Sequence, residues 1–290
     1  MEFTRDGPHW PHAQRSRFVD AAGQRWHLQA WPRPPEGRED VLLLHGTGAS
    51  THSWRAVAPL LARRFGVWAV DLPGHGFSAP ATAARGTLPG MARGVRALLE
   101  AVDAAPSILI GHSAGAAIAV QQALDDPSGL RAVISLNGAL LPLHGVAFAF
   151  FSPLAQLLAL NPLVPRLVAW QGGHGQLAQR LLASTGSALD AEGQALYQRL
   201  VSDPAHVQGA LAMMARWDLH VLARQLPRLA VRLHLVTGSN DRTVPPEDGA
   251  RVQARVPGAS WTSLVGLGHL AHEEQPELAV HTMLDLLGEP

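Results

Sequence analysis

The 290-residue sequence contains no cysteine, which excludes disulfide staples, thiolate metal sites and cysteine catalysis together. It carries no net charge either, because 23 Lys plus Arg balance 23 Asp plus Glu. No global field therefore draws nucleic acid to it, and a nucleic-acid partner is not expected. The first fifteen residues hold no apolar run and include Arg5, Asp6, His9, His12 and Arg15, so no secretory signal is read there and a cytoplasmic location is expected. No internal repeat and no low-complexity segment occurs; the prolines from Pro32 to Pro35 read as a turn.

Short apolar runs alternate with helical patterns, the sequence form of a mostly parallel sheet covered by helices on both faces. Residues 17–20 and 25–31 flank Ala21-Ala22-Gly23 and read as an antiparallel hairpin. Six further strands are predicted at 41–44, 67–70, 107–110, 131–136, 231–236 and 261–265, with helices over 53–64, 88–102, 114–124 and 276–287. The interval between Leu136 and Val231 is too long for a crossover and too apolar for a linker. It predicts an α/β core of residues 1–138 and 228–290 with an inserted helical cap over 139–227. No Asp, Glu, Lys or Arg lies between Arg131 and Arg166. Pro142, Pro153, Pro162 and Pro165 divide that stretch, so one membrane-spanning helix fits it poorly. It reads either as buried cap helices or as an apolar substrate lid that also touches a bilayer.

Gly111-His112-Ser113-Ala114-Gly115 is a weak motif alone, but it falls between a predicted strand and a predicted helix. That places Ser113 on a sharp strand-to-helix turn, the nucleophile elbow. A serine hydroxyl needs a positioned base and an acid to orient that base. His269 follows the last strand and Asp241 follows the strand before it, so both lie where such sheets place their sites. The two donors that an oxyanion requires are read as the Thr47 N–H, in His45-Gly46-Thr47-Gly48, and the Ala114 N–H.

Other polar residues receive lesser roles. His272 reads as a surface or cap-supporting group, Asp71 as the carboxylate of a turn, and Asn137 as an amide unable to stabilise an imidazolium. No ligand set surrounds His269 and His272, so no metal is expected, and the chemistry needs no cofactor. Trp54 reads equally as a pocket wall or a core aromatic, while Phe150 and Phe151, in the uncharged stretch, are expected at an apolar substrate site.

The elbow, together with His45-Gly46-Thr47-Gly48, Asp71-Leu72-Pro73-Gly74-His75-Gly76 and Gly268-His269, resembles the α/β-hydrolase superfamily across the whole chain. Segments such as Ser135-Leu136-Asn137-Gly138-Ala139-Leu140-Leu141-Pro142 and Gly266-Leu267-Gly268-His269-Leu270-Ala271-His272-Glu273-Glu274 resemble the magnesium-chelatase accessory hydrolases of bacteriochlorophyll biosynthesis. The resemblance implies a place in pigment synthesis, in the cytoplasm or at the photosynthetic membrane, with a tetrapyrrole ester or its lipid tail as substrate class. It equally implies an alternative: a porphyrin-binding accessory protein that contacts magnesium chelatase without catalysis. Superfamily dehalogenases and epoxide hydrolases carry aspartate where this chain has Ser113, which disfavours those activities.

Overall fold

The computed structural model describes residues 1–142, 161, 163–174 and 176–289. Eight strands form one sheet: β1 (Ser16–Ala21), β2 (Gln24–Trp31), β3 (Asp40–Leu44), β4 (Gly66–Val70), β5 (Ile108–His112), β6 (Ala132–Leu136), β7 (Arg232–Gly238) and β8 (Ser260–Leu264). Their order is β1-β2-β4-β3-β5-β6-β7-β8. The β1–β2 hairpin is antiparallel and β2 runs antiparallel to β4, whereas β4, β3, β5, β6, β7 and β8 pair in parallel. The turn between β1 and β2 uses positive φ at Ala22 (53°) and Gly23 (67°), the left-handed pair that a tight hairpin needs.

Alternation along the central strands feeds two separate cores. Leu42, Leu44, Leu109 and Val133 pack on one face against α2 (Leu88–Ala101) and α3 (Ala114–Asp125). Val41, Leu43, Ile108, Ile110 and Ile134 pack on the other against α1 (Val57–Leu61) and the C-terminal helix Pro276–Leu287. Each fully buried leucine contributes about 1.5–3 kcal/mol through burial. Helix α3 is alanine-rich, with Ala116, Ala117 and Ala119 wholly buried, so its backbone lies close on the sheet directly behind Ser113.

One expectation is corrected. The helix read over 53–64 is a 3₁₀ turn, Thr51–Trp54, followed by the short α1, because the Asp71 carboxylate takes the Thr51 N–H at 2.7 Å and fixes a turn there. The N-terminal fifteen residues form helical turns that bring Trp10 (3% exposed) against Phe77, Leu196 and Leu200.

Between β6 and β7 the described residues form α4 (Leu163–His174), α5 (Leu177–Ser184), α6 (Ala191–Val201), α7 (Pro204–Arg216) and α8 (Leu219–Gln225). The ends of this insert belong to the sheet's own core: Leu140 and Leu141 at its start, and Leu222 and Leu226 at its end, join the cluster on the α2–α3 face. Among the described residues no helix is long and apolar enough to cross a membrane.

Candidate active site

Ser113 caps the N-terminus of α3 with φ 51° and ψ −116°, a conformation that costs a non-glycine residue about 1–3 kcal/mol. The elbow is held by its surroundings. The Ser113 N–H donates to the Leu136 carbonyl at 3.0 Å, and the Ala139 N–H donates to the Ser113 carbonyl at 3.1 Å. Gly115 must lack a side chain because a Cβ there would overlap the Leu44 carbonyl oxygen. Gly46 lies equally close, since its Cβ would come within 3.0 Å of the Ser113 Cβ. The loop after β3 therefore runs directly alongside the nucleophile.

That loop carries Thr47. Among the described residues neither the Thr47 N–H nor the Ala114 N–H has an acceptor, so both donors are uncommitted beside the elbow. The loop is clamped by His45, whose Nδ1–H donates to the Gly46 carbonyl (2.8 Å) while Nε2 accepts the Leu72 N–H (2.9 Å). Burial keeps His45 neutral by lowering its pKa, which matches this tautomer. His206 of α7 adds a second clamp: Nδ1 accepts the Gly76 N–H and Nε2–H donates to the Gly48 carbonyl, both at 3.1 Å.

Asp241 and His269 come together from separate loops, with His269 Nδ1–H donating to Asp241 Oδ2 at 2.8 Å. Asp241 Oδ1 takes the N–H groups of Thr243 (2.7 Å) and Val244 (2.9 Å), and Asn137 Nδ2–H reaches Oδ2 at 2.8 Å. Four donors thus surround one carboxylate and fix its position. With Nδ1 donating, the lone pair of His269 resides on Nε2. Among the described residues Ser113 Oγ makes no hydrogen bond, a common state of a nucleophile before substrate arrives.

Behind His269 the rings of His112 and His272 lie in series, tilted against one another, at 4.8 Å between His269 and His112 and 4.5 Å between His112 and His272. His112 Nε2–H donates to the His269 carbonyl at 2.9 Å, fixing the base from behind. Burial, followed by the nearby imidazoles, pushes His112 well below its ordinary pKa; His272 is lowered to about 3, by burial first. Both are therefore neutral near pH 7 and add no charge that would compete for the acid. His272 is 1% exposed, with Nε2 2.9 Å from Ser53 Oγ, so it is a buried group of the core and not a surface residue.

Trp54 is wholly buried in the core on the α1 face, its ring 4.7 Å from His272, and so is a core aromatic instead of a pocket wall. Phe150 and Phe151 lie outside the described residues. Asp71 is the turn carboxylate expected: Oδ1 accepts Thr51 N–H, and Oδ2 accepts Phe77 N–H and His27 Nδ1–H. Burial works to raise its pKa, but His27 and these hydrogen bonds win and hold it below the usual carboxylate range.

Sequence reasoning missed the contribution of the insert. The Thr185 carbonyl, in the turn after α5, accepts both the Arg242 N–H and the His269 N–H at 3.2 Å, and Ser187 Oγ accepts the Leu270 N–H at 2.8 Å. The insert thereby ties the acid loop to the base loop through the Thr185 carbonyl, a backbone group that carries no residue signature.

The chain belongs to the α/β-hydrolase fold family, whose model matches residues 41–276. Within that family it is similar to the magnesium-chelatase 30 kDa subunit of Rhodobacter capsulatus, with 41% identity over 247 residues, or 85% of this chain and 86% of that one. It is also 28% identical to an uncharacterized hydrolase of Bacillus subtilis over 87% of this chain and 90% of that protein. Among solved structures it shares its fold with an enol-lactonase from Burkholderia xenovorans (TM-score 0.73, 19% identity, 94% of this chain and 100% of that one). The fold is also that of an epoxide hydrolase (TM-score 0.77, 22% identity, 94% and 98%). Neighbours of such different chemistry share the scaffold and leave the reaction to the site.

Proposed function

We propose that the protein is a serine hydrolase that cleaves an apolar carboxylic ester. The observation that carries this reading is the Asp241–His269 hydrogen bond of 2.8 Å, formed beside an elbow that keeps Ser113 strained at the head of α3. In the reaction Ser113 Oγ attacks the ester carbonyl and gives its proton to His269 Nε2. Asp241 stabilises the imidazolium through Nδ1–H, and the Thr47 and Ala114 N–H groups hold the oxyanion. The leaving alcohol takes the proton from Nε2. Water, deprotonated by the same nitrogen, then releases the acid and restores Ser113.

The substrate class follows from the charge pattern. The stretch from Ala132 to Pro165 holds no Asp, Glu, Lys or Arg. A cap segment without formal charge has nothing to pair with a phosphate or carboxylate, whose unpaired burial would cost several kcal/mol. Each buried methylene instead contributes about 0.8 kcal/mol, which favours a long acyl or isoprenoid chain or a macrocycle. Similarity to a protein named as a magnesium-chelatase subunit supports a tetrapyrrole ester, in or near bacteriochlorophyll biosynthesis. The test is a series of neutral esters of increasing chain length: kcat/KM is expected to rise by roughly threefold or more per methylene over the first members. A flat series would contradict the apolar site. The same similarity favours one second reading, a porphyrin-binding partner of magnesium chelatase without catalysis, and tight porphyrin binding with no ester turnover would establish it.

A peripheral membrane contact belongs to the same proposal. Leu163 and Leu167, one turn apart on α4, are 63% and 56% exposed, and Arg166 and Arg180 are exposed nearby. No acidic residue occurs between Asp126 and Asp190. Leucines flanked by arginines without counter-charge suit an anionic bilayer surface. The protein is expected to sediment with anionic vesicles, and replacing Leu163 and Leu167 by serine to reduce that binding at least several-fold. Equal sedimentation of both forms would remove this contact from the account.

A further inference from the structure

The residues from Leu136 to Ala139, where the chain leaves β6 for the insert, bond to the nucleophile, the acid and the loop of the base. Leu136 and Ala139 bond the backbone of Ser113, as described above. Asn137 lies between them, 1% exposed, with φ 47°. Its backbone N–H donates to the Val236 carbonyl at the end of β7 (2.7 Å). Its side-chain amide spends one hydrogen on Asp241 Oδ2 at 2.8 Å and the other on the carbonyl of Gly268, the residue before His269, at 3.3 Å.

We propose that Asn137 is a positioning residue for the triad, an amide that fixes the Asp241 carboxylate relative to the His269 loop and does so without titrating. The proposal rests on the serine-hydrolase reading for its catalytic meaning, and on the geometry alone for the positioning. Asparagine is among the few side-chain residues that tolerate the left-handed backbone found here. Its two N–H groups match two acceptors that belong to different loops, which a hydroxyl with one hydrogen could not do. The Oδ2 atom it contacts is the same one that receives His269 Nδ1–H, so the amide sets where that oxygen sits in the plane of the imidazole. A carboxylate at position 137 would present a second negative charge at hydrogen-bond distance from Asp241, and the added charge would favour the protonated form of the neighbouring imidazole. An amide supplies the hydrogen bond and avoids that coupling.

The titratable groups facing His269 are Asp241 on the loop after β7, His112 from β5, His272 in the next helical turn, and Glu274, whose Oε1 accepts the Gly268 N–H at 2.8 Å. None of these changes in an Asn137 variant, so a change in the His269 titration reports on position 137. Asn137→Asp keeps size and backbone preference. Asn137→Gly removes the amide while tolerating the positive φ better than any other residue.

The experiment is a histidine-selective NMR titration, run beside the rate of fluorophosphonate inactivation as a function of pH, on the full chain and both variants. Asn137→Asp is expected to raise the His269 midpoint by about one unit or more, and to move the acidic limb of the inactivation profile with it. Asn137→Gly is expected to slow inactivation roughly tenfold, through looser acid–base geometry, with its melting transition retained. An unmoved His269 midpoint in Asn137→Asp overturns the proposal, and so does full inactivation rate in Asn137→Gly. A wild-type protein inert to the fluorophosphonate, with the midpoint still raised in Asn137→Asp, would overturn the serine-hydrolase reading and leave the positioning role standing.

Discussion

Ser113→Ala is expected to lower turnover of a small test ester by about 10⁴-fold or more, and His269→Ala by a similar factor. The double variant should lose little beyond either single one, because nucleophile and base act as a unit. Asp241→Asn should cost about 10⁴-fold, since an amide cannot support the imidazolium that Asp241 faces at 2.8 Å. These losses are separable from folding. Among the described residues Ser113 Oγ makes no hydrogen bond, so its removal breaks none, and the elbow is held by backbone bonds to Leu136 and Ala139 that alanine preserves. In His269→Ala, Asp241 retains its donors from Asn137, Thr243 and Val244, which avoids leaving a buried carboxylate bare. Turnover within tenfold of wild type in either single alanine variant, at equal folded fraction, would contradict the triad.

The second large effect is acid destabilisation. His45, His52, His75, His112, His206 and His272 are all buried, and burial is the main force lowering the pKa of each. In the unfolded chain these imidazoles take up protons near their ordinary value of 6.5, while the folded protein resists, so the unfolded state binds more protons below that pH. Stability is therefore full above about pH 6.5 and is lost as pH falls towards the folded values. For His206, lowered to about 4, the loss amounts to about 3 kcal/mol. Asp71, depressed in the folded state, extends the decline below pH 4, whereas Glu273, raised chiefly by burial, opposes part of it. Urea unfolding at pH 7 and pH 5 should show a drop of several kcal/mol, partly relieved in His206→Gln. Equal unfolding midpoints at the two pH values would show that these imidazoles are accessible to protons in the folded state.

The sequence made the chemistry more legible than its support. Gly111 to Gly115 between a strand and a helix marked the elbow, and the order of Ser113, Asp241 and His269 after β5, β7 and β8 brought three distant segments to one edge of the sheet. The structure places Asp241 against His269 and the Thr47 loop against the elbow. The supporting contacts were illegible because they run through backbone carbonyls or through side chains that only the fold brings to the site. Thr185 serves both loops with a carbonyl oxygen that any residue would supply. Asn137 was visible as an amide where a carboxylate could have stood, but its left-handed φ and its two acceptors emerge only once β6, β7 and the His269 loop are neighbours. His206 lies on a helix of the insert, and nothing in Pro204–Arg216 signals that its ring would join Gly48 to Gly76. The break between Trp54 and Val57 shows the same limit, since a helical pattern yielded to a carboxylate twenty residues away.

The most direct test of the central claim is covalent labelling of the full-length protein with a fluorophosphonate, followed by peptide mass analysis. A single adduct on Ser113, abolished in Ser113→Ala and slowed by orders of magnitude in His269→Ala, is the result expected of a strained serine activated by His269 and Asp241. A folded protein that takes up no label at Ser113, or labels equally well without His269, would contradict it.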